Sequence, residues 1–218
     1  MAYGHLLSLL LKKVNKVAVI SYGIGNLKSI CNALSFIGAD PVLVSNPADL
    51  GDYKRIILPG VGSFRLAMEL LHATGFFSSI LEYVEKPDNR IFGICLGFQM
   101  LGLSSTEGGL TDGLKLIPGI TERFNTSTLS PVKTPHIGFN TVKIPEHVPL
   151  FKNLSIASDF YFVHSYRMNI LDPSLTAYCT HGETFSAAYQ NNNIYGSQFH
   201  PEKSQTNGLI LLSNFIYN

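Results

Sequence analysis

The sequence predicts an α/β fold: an open, mixed, mostly parallel sheet with helices on both faces and antiparallel strands in the second half. Three observations carry that prediction. Short apolar runs alternate with amphipathic segments up to about residue 104, the order of βαβ units. Several of those runs stop at glycine-bearing turns. From Gly119 onward the chain is instead rich in short β-like runs. With 45% hydrophobic and 14% charged residues among 218, the chain has enough apolar surface for a sizeable single core and is no disordered tail.

Taken in order, residues 17–21 form a short apolar run that ends at Gly23 and Gly25, as a buried strand does. Leu27, Ile30, Leu34 and Ile37 then fall three or four apart, which predicts a helix over residues 26–37 with Gly38 as its C-cap. Residues 41–45 read as a second strand and 55–58 as a third, stopped by Pro59-Gly60-Val61-Gly62. Ser63 is placed to cap a helix through Leu71, and residues 76–84 read as another. Residues 90–94 are a fourth strand, followed by a helix over 96–103. Later strands are expected at 141–144, 160–164, 176–179, 185–189 and 194–199, and a closing helix from about 208 to 216.

The folded domain is expected to span residues 16–218, with residues 1–15 an appendage. Leu6 to Leu11 are apolar, but the run is too short to span a bilayer and lacks the layout of a signal peptide. Sixteen basic against fifteen acidic side chains, with no long Lys/Arg run, argue against a nucleic-acid partner. No membrane association is expected. Three widely spaced cysteines, Cys31, Cys95 and Cys179, exclude a disulfide framework and a zinc knuckle and point to the cytoplasm. Gly23-Ile24-Gly25-Asn26 is half of a dinucleotide fingerprint, but Lys28 stands where its third glycine belongs. No metal and no cofactor are expected.

The strongest chemical signal is Gly93-Ile94-Cys95-Leu96-Gly97-Phe98-Gln99, an apolar strand that runs into a cysteine flanked by glycines just before a helix. Most free cysteines are simply buried packing, and Cys31 and Cys179 are read so. At Cys95 the pattern is that of a nucleophile elbow, with sulfur in place of oxygen. The helix N-terminus favours a thiolate and offers free N–H groups to an oxyanion. A cysteine nucleophile needs a base, and His200 in Gln198-Phe199-His200-Pro201-Glu202 ends its apolar run as Cys95 ends its own. Glu202 is near enough to orient the imidazole, so Cys95, His200 and Glu202 form a candidate triad. By itself His-Pro-Glu would read as a polar turn; the elbow changes that reading. Pro59-Gly-Val-Gly-Ser63 lies between a strand and a helix, where its amides could face an anion.

Together the elbow and the His-Pro-Glu turn resemble the signature of the class I, triad-type glutamine amidotransferases. The form Pro59-Gly-Val-Gly62, with Ser21-Tyr-Gly-Ile-Gly-Asn26, Pro135-His-Ile-Gly-Phe-Asn140 and Tyr161-Phe-Val-His-Ser-Tyr166, resembles the family of glutaminase subunits of imidazole glycerol-phosphate synthases over residues 16 to about 217. The resemblance implies a flavodoxin-like fold and hydrolysis of glutamine through a cysteine thioester. It implies a heterodimer with a (βα)8-barrel synthase subunit that accepts the ammonia through a channel, in histidine biosynthesis. Glutamine would be held by Gly62, Gln99, Glu107, His164, Ser165 and Tyr166. The oxyanion would meet the Leu96 amide and the Val61/Gly62 turn. Asn26, Ser29, Pro135, His136, Phe139, Asn140 and Lys203 would lie toward the partner. Phe139 stands where the family usually carries tryptophan, and Gly102-Leu-Ser-Ser-Thr-Glu107 is less acidic than is common there. A related branch that feeds a surface-polysaccharide sugar amidotransferase is the alternative. Outside the class stand a cysteine peptidase or thiol stress protein of related fold, and a non-catalytic binding module.

Overall fold

The structure, a computed structural model, describes residues 15–125, 133–170 and 172–218. The first half runs β1 (Lys16–Ile20), α1 (Leu27–Phe36), β2 (Asp40–Val44), β3 (Arg55–Leu58), α2 (Phe64–Thr74), α3 (Phe76–Val84), β4 (Arg90–Ile94) and α4 (Leu96–Met100). Short strands β5 (Ser104–Ser105), β6 (Thr111–Asp112) and β7 (Gly119–Arg123) follow. The second half holds β8 (His136–Lys143), β9 (Ala157–His164), β10 (Tyr166–Ile170), β11 (Thr176–His181), β12 (Glu183–Asn191), β13 (Ile194–Ser197) and α5 (Gln205–Tyr217). Asn15 is already tied in, since its carbonyl accepts from Asp40 N at 3.1 Å. The expected appendage otherwise lies outside the described residues.

The parallel body is β2-β1-β3-β4-β13, and the antiparallel strands continue from β13 through β12. Its inner strands β1, β3 and β4 read as nearly unbroken apolar runs because both faces are covered. Successive side chains point to opposite faces. Val17, Val19, Ile57 and Phe92 pack with Ile30 and Leu34 of α1 and Leu211 and Phe215 of α5. Ala18, Ile20, Ile56 and Ile91 pack on the other side with Phe64, Met68 and Leu71 of α2 and Phe76 and Ile80 of α3. Gly38, at φ 84° just past α1, ends that helix in the left-handed conformation.

Three local expectations are corrected. Ser63 occupies the cap position of α2 but makes no side-chain cap bond; Glu107 Oε2 accepts from Phe64 N at 2.9 Å instead. The helix after Cys95 stops at Met100, because Leu103 N turns to the Gly119 carbonyl at 2.8 Å and begins sheet pairing. The strand expected at 141–144 begins at His136, where pairing with β9 (His136↔His164 through Lys143↔Ala157) draws the Pro135–Asn140 stretch into a hairpin. Two further strands, β7 and β10, pair with each other and had no expectation of their own. Both carry charge in mid-strand: Arg167 is bonded at 3.1 Å to Glu122 and to Glu183.

Candidate active site

β4 and β13 are parallel neighbours, with Gly93 opposite Gly196 and Ile94 opposite Ser197. Both strands therefore release their next residues at the same carboxyl edge, where an open α/β sheet places its crevice. Cys95 N donates to the Ser197 carbonyl at 2.8 Å, which locks the two strand ends together.

Cys95 sits at φ 55°, ψ −108°, a strained setting for a residue with a side chain. The surroundings allow no relaxation. A Cβ on Gly97 would run into the Leu58 carbonyl, and one on Gly93 would lie 2.7 Å from Phe98 Cα. The elbow thus demands glycine on both sides because backbone packs against backbone. Leu96 begins α4, so its N–H is one of the donors with no partner inside the helix. The Pro59–Gly62 turn rests against the same elbow: a Cβ on Gly60 would be 2.8 Å from Gly97 N. Tyr22, buried two residues past the end of β1, holds that turn with a 2.9 Å hydrogen bond to the Pro59 carbonyl. Val61 and Gly62 are exposed beyond it, Gly62 at φ 97° with open space where a Cβ would be.

His200 opens a 3-10 turn, Pro201–Lys203, and its Nδ1 lies 2.9 Å from Glu202 Oε1. The Glu202 side chain is 0% exposed, so the carboxylate acts on the imidazole without competition from solvent. Nδ1 must carry hydrogen to meet that carboxylate, which leaves Nε2 as the working nitrogen. Among the described residues Nε2 has no hydrogen-bond partner by geometry, although the protonation of the ring is governed by Cys95 as well as by Glu202. Burial opposes charging the ring, but the neighbouring Cys95 and the Glu202 carboxylate bonded to Nδ1 outweigh it and push the His200 pKa up to about 10. This arrangement can pass a proton at a sulfur nucleophile.

A cleft of about 410 Å³ opens over Cys95, His200 and Leu96. Val61, Gly62, Gln99, Glu107, His164, Ser165 and Tyr166 line it as well. Asn26, Pro135 and Lys203 are also part of its lining. Phe139 is 50% exposed and edge-on to Tyr161, whose ring lies 5.8 Å from Lys203 Nζ. Ser29 and Asn140, close in sequence to Asn26 and Pro135, are half-buried. His136 is the exception among the residues expected toward a partner: it is buried, its Nδ1 3.0 Å from His164 Nε2, because the β8–β9 register aims it inward.

His164 and His136 are both held neutral. Burial, then the neighbouring histidines, bring His164 down to about 3 despite its 2.7 Å bond to the Tyr166 carbonyl. Burial and His181, stacked 4.0 Å away, bring His136 down to about 4. Sequence reasoning missed His181, Tyr22 and Gln198. Gln198 is fully buried with Nε2 3.8 Å from Cys95 Sγ, and its place in the His-Pro-Glu motif is the only signal that could have found it. Among the described residues no group of three or more His, Cys, Asp or Glu side chains is placed to hold a metal ion, and no helix is long and apolar enough to cross a membrane.

The family profile for glutamine amidotransferase class-I matches residues 18–218. The chain is 44% identical over 205 residues to imidazole glycerol phosphate synthase subunit HisH 1 of Parasynechococcus marenigrum (strain WH8102), covering 93% of this chain and 98% of that protein. It is equally 44% identical, with the same coverage, to imidazole glycerol phosphate synthase subunit HisH of Methanosarcina acetivorans. Among solved structures, PurLQS from Thermotoga maritima superposes with a TM-score of 0.69 at 18% identity, over 93% of this chain and 97% of that one, a likeness of fold alone.

Proposed function

The chain belongs to the class I glutamine amidotransferases, among the HisH subunits of imidazole glycerol phosphate synthase, and on that premise we propose that Cys95, His200 and Glu202 release ammonia from glutamine for a synthase partner. One observation carries this reading: a cysteine strained at φ 55° at the end of β4 faces a histidine whose other nitrogen is held by an enclosed carboxylate at the end of the adjoining strand. The Cys95 sulfur attacks the glutamine carboxamide carbon, and the C–N bond breaks as His200 Nε2 gives its proton to the departing ammonia. The oxyanion formed in between is met by the Leu96 N–H and by the Val61/Gly62 turn. Water then attacks the thioester, His200 takes its proton, and glutamate leaves with the sulfur restored.

Gln99 has both amino hydrogens engaged, at 3.0 Å to the Tyr166 carbonyl and 2.8 Å to Gln198, so it offers glutamine only its carbonyl oxygen. Glu107, His164, Ser165, Tyr166 and Gly62 complete the substrate's surroundings. Asn26, Pro135 and Lys203, with Ser29, Phe139 and Asn140, face a (βα)8-barrel subunit that consumes the ammonia in histidine biosynthesis. The names of the relatives favour that pathway over the surface-polysaccharide branch. Unpaired cysteines suit the cytoplasm. Cys95→Ser should abolish glutamine-dependent synthesis by the complex while ammonium salt still supports it. Failure of ammonia to rescue the variant would remove Cys95 from the glutaminase step.

A further inference from the structure

The sulfur of Cys95 has a second polar neighbour that the triad does not use. Gln198 follows β13, is 0% exposed, and fixes its backbone by donating to the Ala187 carbonyl at 2.8 Å. The direction of its carboxamide is settled by a chain of contacts that starts at a group with no choice. The Tyr166 carbonyl can only accept. It receives His164 Nδ1 at 2.7 Å and one end of the Gln99 amide at 3.0 Å, so that end is the Gln99 nitrogen. The same nitrogen lies 2.8 Å from one end of the Gln198 amide, which must then be the oxygen. The Gln198 nitrogen is left facing Cys95 Sγ at 3.8 Å. A flip would set two amide nitrogens against each other and aim a carbonyl lone pair at the sulfur.

We propose that Gln198 is a positioning residue for the nucleophile: its amide N–H is aimed at the Cys95 sulfur, holds it at the elbow, and favours its charged form over the protonated one. The donor is separate from the imidazole of His200, so the sulfur has two polar neighbours. Its benefit is confined to the free enzyme, because the negative charge leaves the sulfur when the thioester forms. Gln99 and the Tyr166 carbonyl act through it, which ties two residues lining the substrate cleft to the state of the nucleophile. The inference rests on Cys95 being the glutaminase nucleophile.

The test is alkylation of the full chain by iodoacetamide across pH, with Cys95→Ala setting the background from Cys31 and Cys179. Gln198→Met keeps the length of the side chain without the donor. Gln198→Glu keeps the acceptor for Gln99 but turns an oxygen toward the sulfur. We expect the neutral-pH rate to fall roughly tenfold in Gln198→Met and further in Gln198→Glu. Both rate profiles should move to higher pH, with the lost rate recovered there. A purely structural role gives the reverse order, since Gln198→Glu retains the bond to Gln99. Profiles that superimpose on the wild type, or a milder effect for Glu than for Met, would overturn the proposal. Should either variant fail to fold, the side-chain amide resonance of Gln198 in the ¹⁵N-labelled wild type decides. It should move as Cys95 ionises and stay fixed in Cys95→Ser; indifference to that ionisation overturns the proposal. Glutaminase activity surviving in Cys95→Ala would sink the nucleophile assignment itself, whereas a dead Cys95→Ala beside unaffected Gln198 variants sinks only the role of Gln198.

Discussion

Replacing Glu202 with Gln tests the part of the site where geometry makes the sharpest demand. Glu202 Oε1 sits 2.9 Å from His200 Nδ1, and Oε2 is buried with no hydrogen-bond partner among the described residues. A glutamine here has two ways to sit. With its oxygen toward Nδ1 it keeps the working tautomer, but its NH2 is buried where no acceptor waits, which costs about 1–3 kcal/mol. With its nitrogen toward Nδ1 it satisfies that contact by forcing the proton onto Nε2, and the imidazole can no longer accept a proton from sulfur or water. Either way the charge-assisted bond that stabilises the imidazolium is gone, worth about 1.5–3 kcal/mol. At about 1.4 kcal/mol per tenfold, the two losses together predict a fall in kcat of roughly a hundred- to ten-thousandfold. The assay is glutamate release by the chain assembled with its synthase partner, for the wild type, Glu202→Gln, His200→Ala and the double variant. His200→Ala should be the more severe single change, and the double variant should be little worse than it. A Glu202→Gln complex with full activity, or losses that add in log rate, would refute the reasoning that the two residues act as one unit.

Other predictions follow from the same contacts. His164 and His136 are held at about 3 and about 4 in the fold against about 6.5 in the unfolded chain, so the unfolded state binds protons first as pH falls. Unfolding free energy, followed by denaturant titration, should decline from about pH 6.5 downward, and His136→Phe should flatten part of that decline. Gly97→Ala drives a methyl into the Leu58 carbonyl; a melting curve should show destabilisation of about 1–3 kcal/mol or more, with loss of glutamate release. Free chain should hydrolyse glutamine far more slowly than the complex, by the roughly hundred- to thousandfold that one oxyanion donor contributes, if the exposed Val61/Gly62 turn is aimed by the partner. Equal turnover with and without the partner would end that account of gating.

Much of this protein is determined by local sequence. The unbroken apolar runs of β1, β3 and β4 and the spacing of Leu27, Ile30 and Leu34 suffice for the parallel body, because burial on both faces leaves its strands no alternation to obscure. Gly93 and Gly97 around Cys95 announce a backbone approach that no other residue permits. Local pattern fails where long-range pairing decides. β7 and β10 carry Glu122 and Arg167 in mid-strand, and those charges are at home only because the strands meet across 45 residues. His136 points inward solely because β8 registers against β9, and nothing in Pro135–Asn140 encodes that register. The direction of the Gln198 amide is further still from the sequence. It is set by the Tyr166 carbonyl acting through Gln99, a chain of donors and acceptors that exists only once three separate stretches of the chain have packed around Cys95.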